Sequence, residues 1–495
     1  MRSESTYTVA IFVRALGLVY AVAIGSLWLQ IDGLIGSGGI LPAGEYLARV
    51  ANRFGDAATW VAPTLLWIAP GDAMLHGLCA LGMVLAGLLM AGFIPVGALA
   101  GAWAVYLSLT VAGQTFLGFQ WDNLLLEVGF LAIILVAPGW RLGRGDVLPV
   151  SRFGVFLGRW LVFRLMLGSG LVKLASGDPA WWPDLTALTY HYETTCLPVW
   201  IGWYVHRAPL WVHKVSCLLV LVSELIVPFF VFGPPRLRRV AFWVFLLQQL
   251  GIAATGNYGF FNLLTVAACL LLLDDDVWPG ARRRCEVATR TARVWFGVVA
   301  MPVGAALLVV TTVILVGQVD RALGRFGSGF DVGWPAPVER LVAAVRPFRS
   351  ANAYGLFARM TKHRPEIVVE GTADGRTWKP YAFRWKPGAL DRRPRFVAPH
   401  QPRLDWQMWF AALGTERSTP WFTPFLHRLL TGAPAVLDLL ASNPFPDTPP
   451  RAVRAVRYTY RYGDEGDAWW RREWSGPYAG PIGLTPSLDR RPGRR

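Results

Sequence analysis

Long apolar stretches without a charged residue dominate the first two thirds of the chain. No Asp, Glu, Lys or Arg occurs within residues 73–121, 240–273 or 294–319. Since a membrane-spanning helix needs roughly 20 apolar residues, the first stretch holds two helices, with a break near Gly92–Pro95. The whole pattern predicts about nine spans, at residues 8–29, 73–92, 94–113, 117–137, 153–175, 209–232, 238–255, 257–273 and 295–317.

Basic residues between the predicted spans indicate the orientation of the chain. They cluster in the loops at residues 141–152, 236–239 and 282–293. Positively charged loops stay in the cytoplasm, and all three loops are cytoplasmic if the N-terminus is cytoplasmic as well. With an odd number of spans, the chain after residue 318 then lies outside the cytoplasm. We therefore expect a multi-pass membrane protein with a cytoplasmic N-terminus and an extracytoplasmic C-terminal domain.

The composition changes to that of a soluble α+β domain near residue 346. Residues 365–385 predict a β-hairpin with its turn at Asp374-Gly375, a dipeptide that favours such turns. Short helices are expected at residues 404–413, 421–430 and 435–441, and a further strand at 451–462.

The overall composition agrees with this architecture. The chain is 54% hydrophobic and only 16% charged, whereas soluble domains carry about 25% charged residues. Its net charge of +16 would suggest a nucleic-acid partner in a soluble protein, but basic residues cluster between spans here, so none is expected. We expect a transmembrane domain at 1–320, a linker or interfacial segment at 321–345, an extracytoplasmic α+β domain at 346–484 and a disordered tail at 485–495.

Four polar side chains interrupt the predicted span at residues 117–137. Gln120, Asn123 and Glu127 fall at positions i, i+3 and i+7, which places them on one stripe of a helix; Asp122 is the fourth. An ionisable group inside a membrane costs about 2.5–3.5 kcal/mol on insertion scales. The stripe must therefore face other protein or trapped water.

Two further charged residues lie at a similar depth in the next two predicted spans. Arg164 matches the depth of Glu127, and Glu224 lies just past the middle of its own span. A carboxylate and a guanidinium at one depth on consecutive helices predict a buried ion pair between Glu127 and Arg164. Two interpretations of this membrane polar cluster stay open: a staple that fixes helix packing, or a polar cavity for a lipid head group, a substrate or a proton.

Lys173 lies at the outer end of the predicted span at residues 153–175. A desolvated lysine loses its proton more readily and can act as a base, or its ammonium can extend to the outer head groups. His191 and Glu193 follow in an aromatic loop but do not match a zinc spacing. Since Walker, dinucleotide and nucleophile-elbow motifs are also missing from the sequence, we expect no metal and no cofactor.

The C-terminal part contains a dense polar and aromatic segment at residues 398–409. His400 is followed there by Arg403, Asp405 and Trp406. Such a segment can form a surface that binds a client protein, or it can be a buried, hydrogen-bonded hub of the domain itself. Both interpretations stay open.

Several long segments resemble the lipase maturation factor family. The matching stretches lie in the same order from about residue 10 to residue 475, and their length makes the resemblance specific. They are residues 12–20, 33–42, 116–130, 170–193, 256–264, 364–388, 398–414 and 443–446.

The resemblance implies a non-catalytic factor that helps a secreted, lipase-like client to fold and assemble. Animal members of that family lie in the endoplasmic reticulum membrane, whereas the Arg-rich composition of this chain suggests a bacterial cytoplasmic membrane. The expected partners are the client and membrane lipids. The family pattern places client contact in the outer domain, which implicates Arg376 and Trp378 together with His400, Arg403, Asp405 and Trp406.

A shorter stretch supports an alternative function. The segment from Lys173 through Trp181 and Trp182 to Leu188 resembles the vitamin K-dependent carboxylase superfamily. That resemblance implies a membrane enzyme acting on a lipid-soluble substrate, with Lys173 as the base that deprotonates a quinol and His191 as an auxiliary residue.

Overall fold

The computed structural model describes residues 5–142, 149–279, 290–325, 333–464, 466 and 468–483. The chain forms two compact units. The helical unit comprises Met1–Leu29, Ala43–Lys362 and Pro394–Pro402, and the sheet unit comprises Gln30–Pro42, His363–Arg393 and Arg403–Arg495. Domain boundaries at residues 320, 345 and 484 stay a prediction, and the tail expected at 485–495 lies outside the described residues.

Helices make up most of the helical unit and cover one face of the sheet unit. In chain order they are α1 (Thr6–Trp28), α2 (Ile31–Ile35), α3 (Ala43–Phe54), α4 (Ala58–Val61), α5 (Asp72–Ala91), α6 (Pro95–Ala112), α7 (Gln120–Leu135), α8 (Arg152–Ala175), α9 (Ala187–Thr194), α10 (Trp200–His206), α11 (Leu210–Leu225), α12 (Pro235–Thr255), α13 (Phe261–Cys269), α14 (Arg290–Val294), α15 (Met301–Gly324), α16 (Ala336–Val345), α17 (Arg403–Leu413), α18 (Phe422–Leu430) and α19 (Pro434–Leu437).

Seven helices among the described residues are long and apolar enough to cross a membrane. They correspond to seven of the nine predicted spans. The last one, Arg290–Gly324, comprises α14, a π-helical segment at Trp295–Ala300 and α15. The predicted spans at 117–137 and 257–273 form shorter apolar helices, namely α7 and the Phe261–Leu272 segment that begins with α13. The chain is a polytopic α-helical membrane protein, which confirms the predicted fold class.

The predicted break near Gly92–Pro95 separates α5 from α6. Gly92 has a φ of +78°, a left-handed conformation that glycine adopts easily at the end of a helix. Its N–H donates to the carbonyl of Leu89 at 3.0 Å. Pro95 then occupies the first turn of α6, where no helical partner for its missing N–H is needed. Two separate spans therefore fit into one uncharged stretch.

The strands of the sheet unit are β1 (Arg364–Thr372), β2 (Lys379–Pro380), β3 (Ala382–Phe383), β4 (Leu440–Ser442), β5 (Ala452–Tyr462) and β6 (Trp470–Gly483). The main sheet is antiparallel with the order β2-β1-β5-β6. Since β1 pairs with β2, the predicted hairpin is confirmed. The Asp374 carboxylate accepts hydrogen bonds of 2.7 Å from the backbone N–H groups of Arg376 and Thr377. These bonds hold the pKa of Asp374 below its usual range.

One face of the main sheet forms the core of the sheet unit. Ile367 and Val369 on β1 and Val453 and Ala455 on β5 are fully buried. The helices α17 and α18 pack against these strands. Since successive side chains of a strand point to opposite faces, the residues between these four lie on the other face of the sheet.

The helix predicted at residues 435–441 is wrong beyond its first turn. α19 ends at Leu437, and after a turn at Asp438 and Leu439 the chain forms β4, which pairs with β3. Pairing with β3 satisfies backbone groups that a longer helix would have satisfied internally. The helices predicted at 404–413 and 421–430 and the strand predicted at 451–462 are confirmed, whereas β6 has no counterpart among the predicted elements.

Candidate functional site

Glu127 on α7 and Arg164 on α8 form a buried salt bridge, in the pairing that their depth predicted. Their side chains are 1% and 3% exposed. Glu127 Oε2 accepts three more hydrogen bonds, from the backbone N–H of Asn352 (2.9 Å), from Asn352 Nδ2 (3.0 Å) and from the Tyr354 hydroxyl (2.6 Å). Arg164 Nη1 donates to the carbonyl of Asn352 at 3.1 Å. Four donors thus surround the buried carboxylate, as burial of a charge requires.

The polar stripe of α7 holds the segment at residues 352–355. The Gln120 amide donates to the carbonyl of Gly355 (3.1 Å) and accepts from its N–H (3.3 Å). Asn352 Nδ2 also donates to the carbonyl of Asn123 at 3.3 Å. The stripe therefore faces protein, one of the two surroundings that the sequence allowed.

Asp122 lies on the same helix but outside this network. Its Oδ1 accepts from the Tyr106 hydroxyl at 2.6 Å, and its Oδ2 accepts from the N–H of Phe119 at 3.3 Å. The second bond caps the first turn of α7. Asp122 thus fixes the start of the helix and its contact with α6, while Gln120 and Glu127 bind residues 352–355.

Glu224 on α11 pairs with Lys173 on α8 and not with the Glu127 salt bridge. Lys173 Nζ lies 2.6 Å from Glu224 Oε2 and donates to the carbonyl of Ser169 at 3.2 Å. Gln248 Nε2 donates to Glu224 Oε1 at 3.1 Å, and the Trp181 ring lies 5.1 Å from Lys173 Nζ. Because Lys173 is buried, the interpretation that its ammonium extends to the outer head groups is wrong.

Lys173, Glu224 and His191 line one cavity of about 110 Å³ within the helical unit. His191 Nε2 lies 3.0 Å from the hydroxyl of Tyr258. Burial and the positive charge of Lys173 lower the pKa of His191 to about 4, so this imidazole is neutral at physiological pH. The cavity thus brings together the two residues of the carboxylase-like alternative. Lys173 Nζ is, however, held in a salt bridge with the Glu224 carboxylate and is not free in the cavity.

Two of the predicted client-binding residues lie at the surface of the sheet unit. Arg376 is exposed in the hairpin turn, and Trp378 is half-buried. The guanidinium carbon of Arg454 lies 4.1 Å from the centre of the Trp378 ring. Arg454 also forms a salt bridge of 2.8 Å with Glu370. This part of the hairpin is therefore an ordered aromatic and cationic surface.

Arg403, Asp405 and Trp406 all lie on α17, and all three are buried. Asp405 Oδ1 accepts from the backbone N–H groups of Trp385 (2.8 Å) and Lys386 (2.9 Å). Burial raises the pKa of Asp405 despite these two bonds. The geometry fits the interpretation of this segment as a buried, hydrogen-bonded hub, since these three side chains lie in the interior of the sheet unit.

His400 belongs to the helical unit, unlike the other five predicted client-binding residues. Its Nδ1 lies 2.9 Å from the Ser26 hydroxyl, which also accepts from the N–H of Gln401 at 2.8 Å. Because Arg403, Asp405 and Trp406 are buried, the six residues do not form one exposed surface.

Asn257 is a polar residue that the sequence reasoning missed. Its Oδ1 accepts from the N–H groups of Val397 (2.8 Å) and Ala398 (3.0 Å), and its Nδ2 donates to the carbonyls of Leu197 (3.2 Å) and Arg395 (2.8 Å). Asn257 thereby fixes residues 394–398 on the helical unit. The sequence pattern also missed Asn352 and Tyr354. Like Asn257, each forms its hydrogen bonds with residues far away along the chain.

Metal binding finds no support in the side chains that the structure describes. Among them, no group of three His, Cys, Asp or Glu is placed to hold a metal ion.

Known families match both parts of the chain. The family model described as the lipase maturation factor transmembrane domain matches residues 7–280. The model described as the lipase maturation factor C-terminal domain matches residues 350–480. No solved structure matches this chain.

Individual relatives align over almost the whole chain. Lipase maturation factor 2 of Homo sapiens is 36% identical, and the alignment covers 97% of this chain and 83% of that protein. Lipase maturation factor 2 of Rattus norvegicus is 37% identical, with 97% and 84% covered. Lipase maturation factor 1 of Bos taurus is 35% identical, with 95% and 88% covered. This chain therefore belongs to the lipase maturation factor family.

Proposed function

We propose that this chain is a non-catalytic membrane factor that helps a secreted lipase, or a related client, to fold and assemble. The observation that carries the proposal is the extent of the family match. Relatives named lipase maturation factors align over 97% of the chain, through the spans and the C-terminal sheet alike. Since this chain shares both parts with its relatives, we expect the spans to anchor it in the membrane and the soluble part to bind the client.

The proposed orientation places the N-terminus in the cytoplasm and the sheet unit outside it. Nine crossings, made by the seven candidate spans together with α7 and the shorter Phe261–Leu272 helix, would take the chain to the opposite side. Contacts near the ends of four helices support a shared cytoplasmic side: Thr8 N–H donates to Asp275 (2.9 Å), and Arg159 and Arg238 pair with Asp274. These residues adjoin the N-terminus and the predicted basic loops. In a bacterium, the membrane would be the cytoplasmic membrane.

Cysteine labelling in intact cells tests this orientation. The four described native cysteines are buried, so the variants are built on Cys285→Ser. Arg376→Cys, at an exposed position of the hairpin turn, is expected to react with an impermeant maleimide. Arg236→Cys, at an exposed position in the first turn of α12, is the matched control and is expected to react only after permeabilisation. The reverse labelling pattern would contradict the orientation.

Client contact is proposed at the outer face of the main sheet. The proposed surface includes Trp378 and Arg454 and extends to Tyr458 on β5. Tyr458 pairs with Trp474 on β6. The guanidinium carbon of Arg472 lies 4.5 Å from the centre of the Tyr458 ring, and Trp474 is 66% exposed. Exposed and half-buried aromatic residues that alternate with arginines favour apolar client segments that carry acidic residues.

A deletion strain tests the function and this surface together. Without the gene, at least one secreted lipase is expected to lose activity and to aggregate, and the wild-type gene restores it. Alanine replacement of an aromatic hot-spot residue costs about 2 kcal/mol or more, on the order of thirtyfold in affinity. The double variant Trp378→Ala/Trp474→Ala is therefore expected to be present in the membrane at wild-type level but to restore little lipase activity.

Trp140→Ala provides the matched control, because Trp140 is an exposed tryptophan of the helical unit. It is expected to restore lipase activity fully. If deletion leaves every secreted lipase soluble and active, the proposed function fails in this organism. If the double variant restores activity as well as the wild type does, the client surface lies elsewhere.

A further inference from the structure

The cavity beside Lys173 contains polar atoms that the protein itself leaves without a partner. Thr265 is 0% exposed, and its hydroxyl has no hydrogen-bond partner among the described residues. The same holds for the side-chain oxygen of Gln248. Both residues line the cavity. Because a buried polar group without a partner costs about 1–3 kcal/mol, two such groups at one cavity point to a bound molecule that completes them.

Lys173 adds a donor to the same cavity. An ammonium has three protons to donate, and the described residues supply two acceptors for them, Glu224 and the carbonyl of Ser169. The third proton is available to a ligand. The cavity therefore offers one acceptor, Gln248, one donor, Lys173, and one group that does both, Thr265. A head group with a hydroxyl and a carbonyl would satisfy all three.

The charges at the cavity exclude a charged head group. Lys173 and Glu224 neutralise each other at 2.6 Å, and burial together with the charge of Lys173 lowers the pKa of His191, which keeps its imidazole neutral at physiological pH. A phosphate or an ammonium would find no free counter-charge, and burying an unpaired charge is costly. The ligand is therefore expected to be uncharged.

Most of the other residues that line the cavity are apolar, among them Leu165, Ile252 and Phe261, and the polar ones are Ser169, Gln249 and Tyr258. Leu219 on α11 and Leu247 on α12, each next to a residue that lines the cavity, are 61% and 65% exposed on helices that are candidate spans. An amphiphile can therefore enter from the bilayer, with its hydrocarbon part against the apolar walls. A volume of about 110 Å³ holds several water-sized groups, which suits a small head group.

We propose that this cavity binds an uncharged lipid whose head group carries a hydroxyl and an ester carbonyl, as mono- and diacylglycerols do. The ligand hydroxyl donates to the side-chain oxygen of Gln248 and accepts from the Thr265 hydroxyl, and the ester carbonyl accepts from Lys173. This binding is independent of the client surface on the sheet unit.

Binding of dioctanoylglycerol to the purified full-length chain in detergent tests the proposal. The wild type is expected to bind it saturably, and dioctanoyl phosphatidylglycerol, with the same chains and a charged head, is expected not to compete. Thr265→Val keeps the side-chain shape and removes the hydroxyl. Since a hydrogen bond contributes about 0.5–1.5 kcal/mol, the dissociation constant is expected to rise roughly threefold to tenfold. Gln248→Met is expected to weaken binding similarly.

Thr110→Val is the matched control, because the Thr110 hydroxyl is also buried and without a partner among the described residues but does not line this cavity. It is expected to leave the dissociation constant unchanged, and the melting temperatures of both threonine variants show that the fold is retained. Absence of saturable binding, equal competition by the charged lipid, or equal affinity of Thr265→Val and the wild type would each overturn the proposal. None of these outcomes bears on lipase maturation in the deletion strain.

Discussion

Glu127→Ala is expected to lower the free energy of unfolding of the helical unit by about 3–5 kcal/mol, because it leaves a buried charge without its partner. Arg164 would lose its salt bridge while remaining 3% exposed. Asn352 and Tyr354 would lose the carboxylate oxygen to which they donate three hydrogen bonds. The melting temperature of the purified protein in one detergent measures the effect.

An exposed ion pair provides the matched control for this substitution. Glu45 and Arg49 lie 3.6 Å apart on α3, and their side chains are 63% and 60% exposed. Exposed pairs contribute about 0–1 kcal/mol, so Glu45→Ala is expected to leave the melting temperature nearly unchanged. The double variant Glu127→Ala/Arg164→Met removes both charges and is expected to recover part of the loss. Equal melting temperatures of Glu127→Ala and the wild type would refute the structural role of the pair.

The depth of charged residues in the membrane predicted the ion pair between Glu127 and Arg164 but not the pair between Lys173 and Glu224. Glu127 and Arg164 lie on consecutive spans, so a match in depth was sufficient to pair them. Glu224 has a similar depth, but depth does not specify which side of a helix faces which neighbour. The structure turns Glu224 toward Lys173, which is an outer-end residue in the sequence pattern. The rotation of each helix is set by packing, and packing has no short-range signal in the sequence.

Hydrogen-bond partners that lie far apart along the chain could not be predicted from the sequence either, because sequence patterns report only on neighbouring residues. The Asp374-Gly375 hairpin could be predicted because turn residues and strand residues are neighbours. Asn352, in contrast, contacts Glu127 from 225 positions away along the chain. The strand β6 was missed because its exposed stretch at residues 471–475 shows no alternation of buried and exposed positions.

The polar and aromatic segment at residues 398–409 shows a third limit. A client-binding surface and a buried hub need the same residue types, so composition alone cannot separate them. Arg403 and Asp405 are buried, whereas Trp378, in a stretch of similar composition, reaches the surface. Burial, which depends on the whole fold, decides which of these residues a client can touch.

Lys173→Met is expected to be the second strongly destabilising substitution, with a loss of about 3–5 kcal/mol. It leaves the buried carboxylate of Glu224 with the Gln248 amide as its one hydrogen-bond donor among the described residues. We expect a lower melting temperature, less protein in the membrane and, as a consequence, less mature lipase. This single variant cannot separate a structural lysine from a catalytic one, because both lose activity.

The double variant Lys173→Met/Glu224→Gln makes that separation. It removes both charges, and the glutamine side-chain oxygen can still accept from Gln248, so most of the lost stability is expected to return. If the chain is a non-catalytic factor, the double variant restores secreted lipase activity in the deletion strain to near the wild-type level. An enzyme that uses Lys173 as its base would instead be folded, present in the membrane and inactive. The melting temperature and the lipase activity of the same strain, measured together, therefore decide between a packing role and a chemical role for Lys173.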